Sequence, residues 1–257
     1  MFRLFSEIYM DKATDLLMAK CADMERLCRR RCEPVFSNFL DGGEIADIGD
    51  KHFFSPDVQI KYFGGYAEAE RKILGVFPEW ETEFIFPIKV LFIKSSFTKK
   101  LTHRDYLGTM LSQGIDRNKT GDIIVDDGSA YAFVCADIAQ YLADNIEKIS
   151  NQGVSISVTD ICDIDIPEPK KERISAVCAS KRLDAVVGAV CNISRAQSAR
   201  LINAGLVKLD HRECVDVSKV VSDNSLISVR GYGRFVFIGG GGETRKGRLH
   251  ITADKYV

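Results

Sequence analysis

The feature that most constrains this 257-residue chain is the stretch from Lys181 to Leu209, KRLDAVVGAVCNISRAQSARLINAGLVKL. Ser194-Arg195-Ala196-Gln197 fits a capping box, in which a Ser hydroxyl accepts from the amide three residues on and a Gln side chain reaches back. It predicts a helix start just after Asn192-Ile193. Ala196, Ala199 and Ile202 fall three apart and would form one narrow buried stripe. Gly205 stands where a helix ends on a left-handed residue. Arg195 and Arg200 flank the stripe and stay exposed. Upstream, Arg182-Leu183-Asp184-Ala185-Val186-Val187 starts another helix with Leu183, Val186 and Val187 inward. Downstream, Val207-Lys208-Leu209 alternates as a strand should.

This arrangement resembles the S4 RNA-binding domain, or αL motif. The matching residues are Arg182-Leu183-Asp184, Ser194-Arg195, Ala199, Ile202, Gly205 and Val207-x-Leu209. Several fixed spacings agree at once, over the last third of the chain. The family usually has Asn-Gly in the turn after the strand, a strong hairpin signal. Here the turn reads Asp210-His211-Arg212, which adds a basic group. The resemblance implies an RNA-contacting set of Lys181, Arg182, Ser194, Arg195, Gln197, Arg200, Lys208 and Arg212, joined by a basic arm with Arg245, Lys246 and Arg248. A helical hairpin that only packs is the plain alternative.

Charge supports that placement. From Glu172 to Val257 there are 14 Lys and Arg against 8 Asp and Glu, a net of +6, which leaves −7 for the rest of a chain whose net is −1. A basic end on an acidic body points to a polyanionic partner for that end. No run of about eighteen apolar residues appears, so no membrane span is expected. The N-terminal MFRLFSEIYMDKATD is charged throughout and lacks the apolar core of a signal peptide. The eight cysteines include no Cys-x-x-Cys pair. Cys21, Cys28 and Cys32 share helical spacing but have no histidine nearby, so buried thiols in a reducing cytoplasm are expected rather than a zinc site.

In chain order, Asp11 to Arg31 reads as a helix ending in Arg26, Arg29, Arg30 and Arg31, with Pro34 closing it. Phe36 to Leu40 is expected to start a short helix, and Asp41 to Asp50 to be a polar connection. Val58 to Phe63 reads as a strand, Gly64-Gly65 as a turn and Tyr66 to Leu74 as a helix. The Gly pair lacks the spacing of a phosphate loop. The middle third predicts a strand from Phe84 to Ile93, then a helix from His103 to Gln113 capped by Thr102. Strands Asp122 to Val125 and Ala130 to Cys135 follow around Asp126-Asp127-Gly128. A helix from Ile138 to Ile149, capped by Asp137 and ended by Gly153, leads to a strand from Val154 to Ile161. The order βαββαβ is that of a ferredoxin-like, RRM-like fold. Leu91-Phe92-Ile93 and Tyr131-Ala132-Phe133-Val134 partly fit its aromatic strands, which leaves open whether this sheet stacks bases or these rings pack inside. Pro167 to Lys171 is expected as a linker, and Val215-x-Val217 and Leu226 to Val229 as further strands. Gly239 to Gly242 is expected as a flexible tether. The fold class is therefore α+β in three parts: an N-terminal α/β domain, 1–82; an RRM-like domain, 83–166; and an S4 domain, 172–257.

Two further stretches widen the resemblance. Leu101-Thr102-His103-Arg104-Asp105-Tyr106-Leu107-Gly108 precedes Gly114-Ile115-Asp116-Arg117 and Gly121-Asp122-Ile123. With Arg230-Gly231-Tyr232-Gly233-Arg234-Phe235, they resemble the bacterial YlmH family over most of the chain. The resemblance implies a cytoplasmic RNA-binding accessory protein of translation, with no cofactor. Its implied partners are ribosomal RNA, the large ribosomal subunit and tRNA, in quality control of stalled nascent chains. A link to cell division is also discussed for the family. An RNA-modifying enzyme is the main rival, because Arg182-Leu183-Asp184 matches the catalytic tripeptide of pseudouridine synthases. Within an S4 helix the same letters are expected for structural reasons. His103-Arg104-Asp105 is similar to a kinase catalytic loop, but no Asp-Phe-Gly follows.

Overall fold

The structure, a computed structural model, describes residues 2–95, 101–168, 171–243 and 247–256. It divides into two compact units, Met1–Glu168 and Pro169–Val257.

The first unit opens with α1 (Phe2–Arg31), longer than the expected helix. It ends at Cys32, left-handed at φ +55° and exposed rather than among the buried thiols. Where a short helix was expected, Val35–Leu40 forms strand β1. The polar stretch after it is helix α2 (Gly42–Lys51). Asp41 accepts from the Glu44 amide at 3.0 Å, and Glu44 accepts from the Asp41 amide at 2.7 Å. That reciprocal cap fixes a helix start in spite of two glycines. Strand β2 (Val58–Phe63) forms as expected. The helix expected from Tyr66 to Leu74 does not form. A loop to Arg71 leads into strand β3 (Lys72–Pro78). The loop is drawn onto Asp122, whose carboxylate accepts from the Tyr66 hydroxyl at 2.9 Å and the amides of Glu70 and Arg71 at 2.7 and 3.3 Å. Ile73 to Pro78 is buried on both faces, so it reads as an unbroken apolar run without alternation.

The other strands of this unit are β4 (Ile88–Ser95), β5 (Thr120–Asp126), β6 (Ser129–Cys135), β7 (Lys148–Ile149) and β8 (Gln152–Thr159), with helices α3 (His103–Ser112) and α4 (Ala136–Asn145). β4 starts only after Pro87, which lacks the amide a ladder needs. α4 begins one residue past Cys135, so Asp137 lies inside its first turn and pairs with Lys119 at 2.5 Å instead of capping. Gly153 does not end that helix. It lies in β8, beyond a tight β7–β8 turn at Ser150, φ +53°.

All pairings are antiparallel, in a three-stranded sheet ordered β1-β3-β2 and a five-stranded sheet ordered β5-β6-β4-β8-β7. α1 and α2 bury Cys21, Met24, Cys28 and Ile48 against Leu40, Leu74 and Val76 of the small sheet. Its other face sets Phe39 and Ile73 against Val90, Ile124 and Phe133 of the larger sheet. The far face of the larger sheet packs Leu91, Ile93 and Val134 against Tyr106, Met110 and Leu142 of α3 and α4. The layers run helix, sheet, sheet, helix.

This stacking decides the question of Phe133. Its side chain is 0% exposed, with the Tyr66 ring 5.1 Å away. Gly65, at φ +104°, lies so close that a Cβ there would meet the ring at 2.2 Å. Phe133 is core and is closed to base stacking. Phe92 and Tyr131, further along the same face, are half-buried and pack on each other at 5.1 Å.

The second unit comprises β9 (Lys171–Cys178), α5 (Leu183–Val190), α6 (Arg195–Asn203), β10 (Val207–Leu209), β11 (Arg212–Glu213), β12 (Ser225–Val229), β13 (Gly233–Glu243) and β14 (Leu249–Tyr256). Its six-stranded antiparallel sheet is ordered β11-β10-β12-β13-β14-β9. Strand β9 was not expected. It takes in Lys171 at the end of the expected linker, of which Pro169 and Lys170 lie outside the described residues. Val215 to Val217 is irregular rather than strand. Gly239 to Gly242 is no tether: it lies inside β13, with register shifts against β14. α5 and α6 cover one face, setting Leu183, Val186, Val187, Val190 and Ile202 against Val207, Ile227, Phe235, Phe237 and Ile251.

Candidate nucleic-acid interface

The site is built around one buried carboxylate. Arg182 is the N-cap of α5, so Asp184 sits in its first turn. The opening amides of this helix find partners outside it: Leu183 donates to the Lys219 carbonyl at 2.8 Å and Asp184 to that of Val217 at 3.2 Å. Asp184 is 4% exposed. Its carboxylate accepts from Arg182 at 3.2 and 3.3 Å, and from Arg195 Nε, at the start of α6, at 2.8 Å. Burial alone would raise the Asp184 carboxyl, but the two guanidinium groups outweigh it and hold its pKa below the ordinary value. Asp184 thus ties the two helix starts together and fixes two cations side by side. Both stay half in water, at 39% and 56% side-chain exposure, so N–H donors remain for an anion.

α6 makes half of its expected capping box. The Ser194 hydroxyl accepts from the Gln197 amide at 3.2 Å. Gln197 does not reach back; it donates instead to the Tyr232 hydroxyl at 3.2 Å. The buried row is also shifted. Ala196 is exposed, Ala199 is partly buried, and Ser198 and Ile202 are fully buried. Arg200 faces solvent, as expected. Gly205 ends the helix at φ +68°.

The β10–β11 hairpin closes without Asn-Gly. Asp210 and His211 take φ +48° and +70°, a two-residue loop with the twist that hairpins favour. Asp210 offsets the strain with its side chain, which accepts from the Leu226 amide at 2.8 Å and the Ser225 hydroxyl at 3.0 Å.

The expected contact residues therefore do not form one patch. Arg182, Arg195, Ser194 and Gln197 gather at the helix starts, and Arg200 lies along α6. Lys181 is paired with Asp223 at 2.7 Å beside β13. Lys208 and Arg212 belong to the hairpin, with Lys208 on the sheet face away from the helices. Arg248 is exposed just before β14. Arg245 and Lys246 lie outside the described residues. The expected set omitted Arg234, Lys171 and Tyr256 on the uncovered sheet face. The alternation Arg173-Ile174-Ser175-Ala176-Val177-Cys178 could have revealed β9 and with it Lys171.

In the first unit, His103, Arg117 and Asp122 of the family-like stretches come together. Arg117 is held by the carbonyls of Thr120 and Gly121 at 2.6 and 3.3 Å, and Arg71 by those of Thr120 and Phe39 at 3.1 and 3.0 Å. Burial and the neighbouring Arg71 lower Arg117 to about 10. Burial, then Arg117, lowers His103, and burial raises Asp122. Arg71 thereby joins the two sheets of the unit, bonding to Phe39 of β1 and Thr120 of β5, while Arg117 holds the start of β5. The described residues hold no group of three His, Cys, Asp or Glu fit for a metal ion.

A family model described as "Putative RNA-binding domain in YlmH" matches residues 82–163. The "Ribosome-associated protein quality control protein P2" of Bacillus subtilis (strain 168) is 31% identical over 255 residues, covering 97% of this chain and 99% of that protein. Among solved structures, "Cell division protein ylmH from Streptococcus pneumoniae" shares 22% identity with a TM-score of 0.48, over 59% of this chain and 94% of that one.

Proposed function

This chain belongs to the YlmH family, and from that premise we propose that it is a ribosome-associated, RNA-binding accessory protein of translation. In this reading it binds large-subunit ribosomal RNA and tRNA in the cytoplasm and acts in quality control of stalled nascent chains. The whole-length similarity to a ribosome-associated quality control protein supports the cellular role. The paired helix starts braced on Asp184 support an S4 domain as the RNA anchor. The strand order β5-β6-β4-β8 supports a ferredoxin-like middle region, within a three-part chain of 1–82, 83–166 and 172–257.

The observation that carries the reading is the Arg182–Asp184–Arg195 triad. Two guanidinium groups on one carboxylate leave net positive charge at a fixed spot, which suits a phosphate. The same observation favours a binder over a pseudouridine synthase: Asp184 is buried and fully engaged, so it is poorly placed to attack a base.

A salt titration tests this. Full-length protein binding tRNA or large-subunit RNA should weaken steeply with salt, by about 0.7–0.9 log units per log unit for each phosphate contact. Arg195→Ala and Arg200→Ala should each flatten the slope by about one contact. Unchanged slopes in both would remove the helix face as the RNA site. A pseudouridine that appears in the RNA with wild type and vanishes with Asp184→Asn would replace binder by enzyme.

A further inference from the structure

We infer that the uncovered face of the C-terminal sheet is a second RNA-contact surface, so that this unit touches RNA on two opposite faces. The inference deepens the RNA-binding reading and rests on it. The cross-strand register supplies the geometry. Lys171 pairs with Tyr256 and Arg234 with Ser228, which in turn pairs with Lys208. Because Phe235 pairs with Lys255, Arg234 lies opposite Tyr256. One row of side chains therefore runs Lys171, Tyr256, Arg234, Ser228, Lys208 across five strands. On the opposite parity of the same strands, Val207, Ile227, Val229, Phe235 and Ala253 are buried in the core with α5 and α6, and Ile174 and Ala176 of β9 pack against it. The row thus points the other way, and Lys171, Arg234 and Lys208 are exposed.

Cations occupy alternate places in this row. Strands lie about 4.8 Å apart, so the charges recur about every 10 Å. No two cations are directly opposite, an arrangement that would be destabilising. The ring of Tyr256 separates the first two, with Lys171 Nζ 5.2 Å and the Arg234 guanidinium 5.0 Å from its centroid. The negative face of a ring attracts each cation and offsets their mutual repulsion. The acid of the next row, Asp254, already accepts from Arg173 Nε and Nη2 at 2.9 and 3.0 Å. A groove of cations tracking a backbone, with an aromatic ring among them, is how proteins hold a single strand without reading its sequence. An acidic protein segment would meet the same charges; RNA is taken as the occupant because the helix face of the same unit is read as an RNA site and this unit carries a net charge of +6 from Glu172 to Val257.

The test titrates full-length protein into fluorescent oligouridylate across a salt series. It compares wild type with Lys171→Gln/Arg234→Gln, with Arg195→Gln/Arg200→Gln, and with all four changes. Each pair should flatten the log–log slope by about 1.4, and the four together by the sum. Lys171 and Arg234 are exposed and their cation–π contacts with Tyr256 are weak at a surface, so the melting temperature should fall only slightly. A sheet pair with wild-type slope beside a flattened helix pair overturns the second surface and leaves the helix face standing. The reverse result removes the helix face and supports the sheet. If neither pair matters, both fall. Loss of polyglutamate binding with unchanged oligouridylate binding in the sheet pair would assign the surface to an acidic protein and overturn the inference.

Discussion

Two sheets in this molecule begin alike and end differently. The five-stranded sheet β5-β6-β4-β8-β7 and the six-stranded sheet β11-β10-β12-β13-β14-β9 each bury one face under two helices. In the first, much of the other face is buried again, under β1-β3-β2. In the second, it carries Lys171, Arg234 and Lys208 in a row. An aromatic ring on a strand therefore has no fixed meaning. Phe133 has apolar neighbours and Gly65 against its ring, and it holds two layers together. Tyr256 has cations beside it and a half-exposed ring. What covers the second face decides between core and contact.

The strongest way to break this comparison is Phe133→Ala. It should destabilise the first unit by about 3–5 kcal/mol, the cost of a large cavity. Once the protein is held folded at low temperature, the salt slope of RNA binding should be unchanged. Calorimetry read with RNA titration checks both. A stable variant with a flattened slope would mean that Phe133 faces RNA after all. Gly65→Ala attacks the same contact from the other side. At φ +104°, with the ring 2.2 Å from the new Cβ, it should cost about 2–4 kcal/mol through strain and overpacking. In the Phe133→Ala background the steric part should disappear, because the ring is gone.

That contrast also marks what could be read before the fold was known. The α6–β10 stretch was legible because its cues are local: Ser194 before the helix, Gly205 after it, alternation in Val207-Lys208-Leu209. Three errors share a tertiary cause. β3 is buried on both faces and shows no alternation, and the backbone amides of Glu70 and Arg71 just before it donate to Asp122, about 50 residues away in sequence. β9 starts with charges that belong to an open sheet face. Gly239 and Gly240 looked like a tether, yet they lie in β13. There a Cβ would meet Asp223 at 3.2 Å and Lys181 at 3.6 Å, the members of an ion pair brought from elsewhere in the chain. The cap of α2 was different: Asp41-Gly-Gly-Glu44 is a local signal, masked by two glycines that argue for a turn.

Asp184 offers a smaller effect with a pH signature. Removing it should cost about 2–4 kcal/mol in the second unit, nearer the lower figure because both arginines are half in water. Its folded pKa lies below the unfolded value, about 3.9. The stabilisation is thus complete above about pH 4 and is lost as pH falls through the folded value. Asp184→Asn should therefore flatten the acid limb of a stability–pH curve for the second unit, below about pH 4. An acid limb identical to wild type would show that the two arginines do not depress this carboxyl.

The smallest effect sharpens the view of the open sheet. Gly205 ends α6 at φ +68°, and a Cβ there would lie 2.5 Å from Glu213 Oε1. Glu213 pairs across the hairpin with Lys208, the last cation of the row. Gly205→Ala carries left-handed strain of about 1–2 kcal/mol, partly offset by the reduced freedom of the unfolded chain, so a net loss of about 1 kcal/mol is expected. The clash itself should be cheap, because the crowded atom is the tip of a flexible side chain. RNA affinity should hold while stability falls. A double-mutant cycle with Glu213→Ala separates the terms. If strain dominates, the cost of Gly205→Ala is the same in both backgrounds. If it vanishes when Glu213 is shortened, the carboxylate is held rigidly over Gly205. A fixed acid would then stand in the register position opposite Lys208 and weaken that end of the cationic row.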